Sequence, residues 1–255
     1  MIDPKPAGTE YRHRQYLAVC GIAGSVFLGL YFGIPALMPR LASLLYSGGT
    51  PSTDRIVTVG AKYHALLAAG GWLQGIGALL CVVFFLALVQ WADGISTLAG
   101  RVVLLACAVL LALVVAEMVF TFTWAAAANA SQPVTARAAY DLMASFVEVF
   151  PIVPAATVYL ALATVLASGP YVVPAIFTRL AAALGIAFLL VGLAGVLTSA
   201  ASAPSAGLSG LQDVWTLAAA ITVLRGAQSR PRHTPHSRLA RLDDGCPPLI
   251  KRLGR

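Results

Sequence analysis

Apolar residues in this chain run in long, nearly unbroken stretches rather than in alternation. Runs at 17–39, 64–91, 101–128, 140–168 and 174–200 each match or exceed the ~20 residues that carry an α-helix across a hydrocarbon core. A shorter sixth run covers 208–224. Between the runs stand "YSGGTPSTD", "ADGIS", "ANASQPVT", "SGPYVVP" and "SAPSAG", all rich in turn- and loop-forming residues. The alternating strands that build a closed membrane barrel are absent. The pattern therefore predicts an all-α fold, an integral membrane bundle of six transmembrane helices within residues 17–225, with an N-terminal segment 1–16 and a tail 226–255.

Composition agrees. The chain is 59% hydrophobic and only 11% charged, against about 25% charged residues in a soluble domain. A water-soluble core of this size cannot hide so many apolar side chains, whereas a bilayer solvates them from outside. Cys20, Cys81, Cys107 and Cys246 form no CxxC pair, and the first three lie in apolar stretches, where a thiol acts as a small hydrophobe. "LAVCGIAG" departs from a lipoprotein signal, with Val19 where a small residue is expected and Cys20 at the start of the run rather than after it. No A-x-A signature follows, so the first run reads as a retained anchor.

Charge orients the bundle, because cytoplasmic segments retain Lys and Arg. With both termini cytoplasmic, the inner segments hold Lys5, Arg12, Arg14, Arg101, Arg179, Arg225 and seven more in the tail, thirteen in all. The outer segments hold only Arg40, Arg55, Lys62 and Arg137. Much of the net charge of +7 lies in the tail, whose Pro, Ser and Arg content predicts disorder and attraction to anionic lipid. It requires no nucleic-acid partner. His233, His236 and Cys246 in that tail lack a fourth metal ligand. The Ala-, Leu- and Val-rich runs with Arg preferred over Lys are similar in composition to bacterial multi-pass proteins, which implies a bacterial-type inner (plasma) membrane. No motif within that similarity assigns a functional residue.

Small residues predict how the helices meet. Gly21, Ser25, Gly29 and Gly33 recur every fourth position, and Gly71 with Gly75 and Gly195 with Ser199 repeat the device. Such stripes let helix backbones approach closely in lipid, either inside one bundle or in a homodimer or a complex with another membrane protein. Pro35, Pro151 and Pro154 are expected to kink or break their helices.

Chemistry is sparse, and its centre is Glu117, set within "LVVAEMVFTFTW". Glu117, Thr121 and Trp124 fall at i, i+4 and i+7 on one face of the third span, and Asp141, Ser145 and Glu148 do the same on the fourth. At 1.5 Å per residue, Glu117 lies roughly 10 Å and Glu148 roughly 12 Å below the outer surface. Tyr31, His64, Gln74 and Asp213 also fall in the outer half. Converging faces would line a polar pocket open to the outside, with no Lys or Arg within any span at this depth. An unpaired carboxylate is expensive there, so the acids are expected to be protonated, to share a proton, to hold a cation or to touch water.

This predicts a small proton- or cation-linked transporter, with a non-catalytic subunit or assembly partner of a membrane complex as the alternative. An enzyme is disfavoured. No HExxH, GxSxG or acidic metal pair accompanies His64, the sole histidine in or beside a span, and haem between helices usually takes two facing histidines. No cofactor is expected, and no metal ligand set is assigned.

Overall fold

The computed structural model describes residues 7–45, 50–170, 172–197 and 202–228; for a few helical residues, Glu148 among them, only the backbone is described. All regular structure among them is helical. The elements are α1 (Ala7–Ala36), α2 (Pro39–Leu45), α3 (Thr53–Lys62), α4 (His64–Trp91), α5 (Leu98–Asn129), α6 (Pro133–Phe150), a π-helical turn (Pro151–Ala155), α7 (Ala156–Ser168), α8 (Ala175–Leu197) and α9 (Ser202–Gln228).

Among the described residues, five helices are long and apolar enough to cross a membrane: Arg12–Ile34, His64–Trp91, Leu98–Asn129, Ala175–Gly195 and Gly207–Gly226. They are compatible with a multi-pass membrane protein. Their outward faces carry Leu105, Leu190 and Val214, each 60% or more exposed, a surface suited to a lipid environment.

The fourth expected span, 140–168, is not one of these five helices and is interrupted at the prolines, where the sequence predicts a kink or break. It is the amphipathic α6, the π turn and the short α7 in succession. The cause is proline. Pro151 and Pro154 supply no backbone N–H, and their rings crowd the preceding turn. The ladder widens to let the chain continue, and the Ala156 N–H bonds the Pro151 carbonyl. Only Val153–Ser168 of this stretch is a continuous apolar helix.

A departure lies between the first two spans, where the sequence predicts a loop. Residues Thr53–Lys62 form α3, capped by the Ser52 side chain, which accepts from the Arg55 N–H at 3.4 Å. Its buried Ile56, Val59 and Gly60 lie at i, i+3 and i+4, the spacing of one helix face. α3 packs on α5, and a Cβ on Gly60 would fall 2.6 Å from Trp124 Nε1. Trp124 is 0% exposed and donates its indole N–H to the Ile56 carbonyl at 3.2 Å.

The long elements close into a ring. α1 packs on α4 and α9, α4 on α5, α5 on α6 and α7, α7 on α8, and α8 on α9. Phe85, Tyr159 and Trp215 fill the middle of one end, with ring centroids 5.5–6.3 Å apart, and the Trp215 N–H is satisfied by the Phe177 carbonyl at 3.0 Å. A second buried cluster, including Leu41, Ile56, Trp124 and Tyr140, forms where α2 and α3 meet α5 and α6.

The small-residue stripe of α1 divides between two roles. A Cβ on Gly21 would meet Phe84 and Ala220 at 2.7 and 2.8 Å, and one on Gly24 would meet backbone atoms of Cys81 and Gly77 at 2.8 and 2.9 Å. Ser25 is buried and donates to the Gly21 carbonyl at 2.9 Å. Gly29 and Gly33 have nothing within 4 Å. Opposite outcomes are expected. Gly24→Ala forces α1 and α4 apart and lowers stability by about 1–2 kcal/mol. Gly29→Ala raises it by up to about 1 kcal/mol through helix propensity. Thermal unfolding in one detergent checks both, and equal shifts of the same sign would refute the division.

Candidate functional site

Above the aromatic cluster the ring is not filled. A cavity of about 270 Å³ is bounded by α1, α2, α4, α5, α6 and α9. Most of its wall is apolar, and α2 lays Leu41 and Leu45 along it at the end where the sequence predicts an outward mouth.

Glu117 is the centre of its polar wall. The carboxylate accepts from Gln74 Nε2 at 2.7 Å and from the Tyr31 hydroxyl at 3.1 Å, tying α5 to α4 and α1. Glycines make this reach short. A Cβ on Gly71 would fall 2.9 Å from Phe122, and one on Gly75 3.1 Å from the Met118 sulfur. α5 side chains therefore occupy the space a larger residue on α4 would take. Thr121 lies one turn on, and its hydroxyl donates to the Glu117 carbonyl at 2.9 Å.

Asp213 faces the same cavity from α9. It is 7% exposed, and neither carboxylate oxygen has a partner. Its own helix offers no help, because the Ser209 and Thr216 hydroxyls donate to carbonyls at Ser205 and Gln212. Gln74, 4% exposed, also leaves its Oε1 without a partner. No Lys, Arg or His lines the cavity among the described residues. Nor does any group of three or more His, Cys, Asp and Glu side chains among them form a metal site.

Of the residues singled out from the sequence, Gln74, Glu117, Thr121 and Asp213 line this one cavity, and Tyr31 joins them. His64 and Ser145 stand apart. His64 is exposed with a ring nitrogen 3.1 Å from the Ala61 carbonyl, and the Ser145 hydroxyl donates to the Asp141 carbonyl at 2.9 Å. α6 turns Tyr140, Met143 and Ala144 to the cavity and leaves Asp141 and Ser145 exposed. Asp141 accepts from Arg137 at 2.6 Å on that outer face. The side chain of Glu148 and the tail residues from 229 onward lie outside the described residues.

Among the described side chains, the acid that shares this cavity with Glu117 is Asp213 on α9. Its stripe was readable: Ser205, Ser209, Gln212, Asp213 and Thr216 recur at i, i+4, i+7, i+8 and i+11, the period of one helix face.

Chemically, two carboxyl groups in an apolar chamber without a fixed cation are suited to binding a proton or a cation. An anion would meet no buried base. Comparison with protein-family models, curated proteins and solved structures found no match.

Proposed function

We propose that this chain is a small proton- or cation-linked transporter of the bacterial-type inner membrane, with the central cavity as its site. In this reading the chain crosses six times, the α6–π–α7 rod making the fourth crossing, and both termini are cytoplasmic. The excess of Lys and Arg in the inner segments supports that orientation. The basic tail rests on anionic lipid at the inner leaflet.

One observation carries the reading. Glu117 and Asp213 line a single buried cavity whose lining has no Lys, Arg or His among the described residues. Acids placed within a membrane bundle commonly belong to proton or ion pathways, and the unpartnered oxygens of Asp213 and Gln74 leave acceptor capacity for a ligand. The titratable groups that line the cavity with Glu117 are Tyr31, Cys81, Tyr140 and Asp213.

The test is thermal unfolding of purified protein across pH and with added cations, for wild type, Glu117→Gln, Asp213→Asn and the double variant. A pH- or cation-dependent shift is expected in wild type and lost in the double variant. Coincident curves would sink the site. A second reading, an assembly partner of another membrane protein, draws on Gly29, Gly33, Gly207 and Gly210, whose Cβ positions face open space.

A further inference from the structure

We infer that the outer seam between α1 and α9 is a lateral entry site for a lipophilic ammonium ion, with Asp213 as its counter-charge. The inference rests on the cavity reading above and names its substrate class. A groove of about 440 Å³ runs along this seam on the outer surface of the bundle. Val26 and Phe32 of α1 and Val214 and Leu217 of α9 give it apolar walls.

Its glycines hold space open. A Cβ on Gly29, Gly33 or Gly210 would meet no atom within 4 Å, unlike those on Gly21 and Gly24 of α1. These positions do not serve close packing among the described residues.

Asp213 supplies the second, independent observation. It lines both the groove and the central cavity, is 7% exposed, and has no partner on either oxygen. Phe32 also lines both. The floor of the groove and the wall of the cavity are therefore made in part by the same two side chains, and a molecule entering from the groove reaches the acid that the cavity shares with Glu117.

Complementarity then selects the occupant. A single unpaired acid at the base of an apolar, lipid-exposed groove matches one positive charge carrying an aliphatic body, which partitions into the bilayer and approaches from the side. An anion finds no base. A metal ion finds too few oxygens, since calcium takes six to eight and the only side-chain oxygens lining the groove among the described residues are those of Asp213 and Ser25.

The experiment uses the full chain in phosphatidylcholine nanodiscs, with hexyltrimethylammonium as probe and 2,2-dimethyloctane as its neutral isostere. The cation is expected to raise the unfolding temperature of wild type, and the isostere to have little effect. Gly29→Leu/Gly210→Leu, which fills the groove, and Asp213→Asn, which removes the charge, should each weaken the response about tenfold or more in concentration. If the double glycine variant does not fold, Gly33→Leu takes its place. Equal response to the isostere, or unchanged binding in the filled variant, overturns the site. A drop in oligomeric mass on filling the groove identifies it as an interface between copies and also overturns the assignment. No cation response in a wild type that keeps its Glu117-dependent pH response overturns the entry site alone. Loss of both responses overturns the cavity reading with it.

Discussion

Glu117→Ala is expected to lower the stability of the protein by about 2–4 kcal/mol. Two donors on two other helices, Gln74 Nε2 and the Tyr31 hydroxyl, lose their shared carboxylate acceptor, and a buried donor deprived of its acceptor costs about 1–3 kcal/mol. Gln74 is the more vulnerable, because its Oε1 is already without a partner. Glu117→Gln keeps a carbonyl oxygen at the same reach and is expected to cost less than about 1 kcal/mol. The pair separates the structural contribution of the side chain from its charge. Chemical or thermal unfolding in one detergent, with both variants beside wild type, reads the difference. Equal losses would show that the hydrogen bonds from α4 and α1 do not depend on an acceptor at this position.

Asp213→Leu is expected to act in the opposite direction and raise stability by about 1–3 kcal/mol. A buried carboxyl group with both oxygens unpartnered contributes desolvation cost without hydrogen bonds in return, and the side chain borders open volume on two sides that a leucine can occupy. The same variant should lose its response to hexyltrimethylammonium. Gain of stability with loss of ligand response is the pattern of a residue retained for function at the expense of the fold. A destabilised Asp213→Leu protein would instead indicate that the acid is satisfied in the native state by a partner such as water. The two acids of one cavity thus differ in kind. Glu117 holds three helices together, while Asp213 is held in place by the helix that carries it.

Legibility differed from residue to residue for physical reasons. Glu117 stood out because a carboxyl group within an apolar run has few inexpensive fates. Gln74 and Thr121 followed from depth and helical period. Asp213 followed from depth alone, whereas Asp141, Ser145 and Glu148 were placed by chain adjacency. Spans joined by a short connection are neighbours, which favoured α6, but adjacency leaves the rotation of each helix open. A shift of one residue turns a side chain by about 100° around the axis, enough to move Asp141 and Ser145 from the cavity to the exposed face. α9 reaches the site from the far end of the chain because the ring closes α1 against it, a contact no local pattern records.

What the sequence alone determined is the all-helical, strongly apolar character of the chain and the approximate position of most apolar helices. Hydropathy is a property of consecutive residues, and the solvent that satisfies them surrounds the bundle rather than being built by it. The prolines at 151 and 154 were also readable as a break. Only the tertiary structure decided that the break becomes a π turn, that the segment after the first span folds as α3 beneath Trp124, and that half of the glycine stripe on α1 packs while the other half faces open space. Those outcomes depend on how closely backbones from distant parts of the chain approach, and on which side chain already fills the space between them.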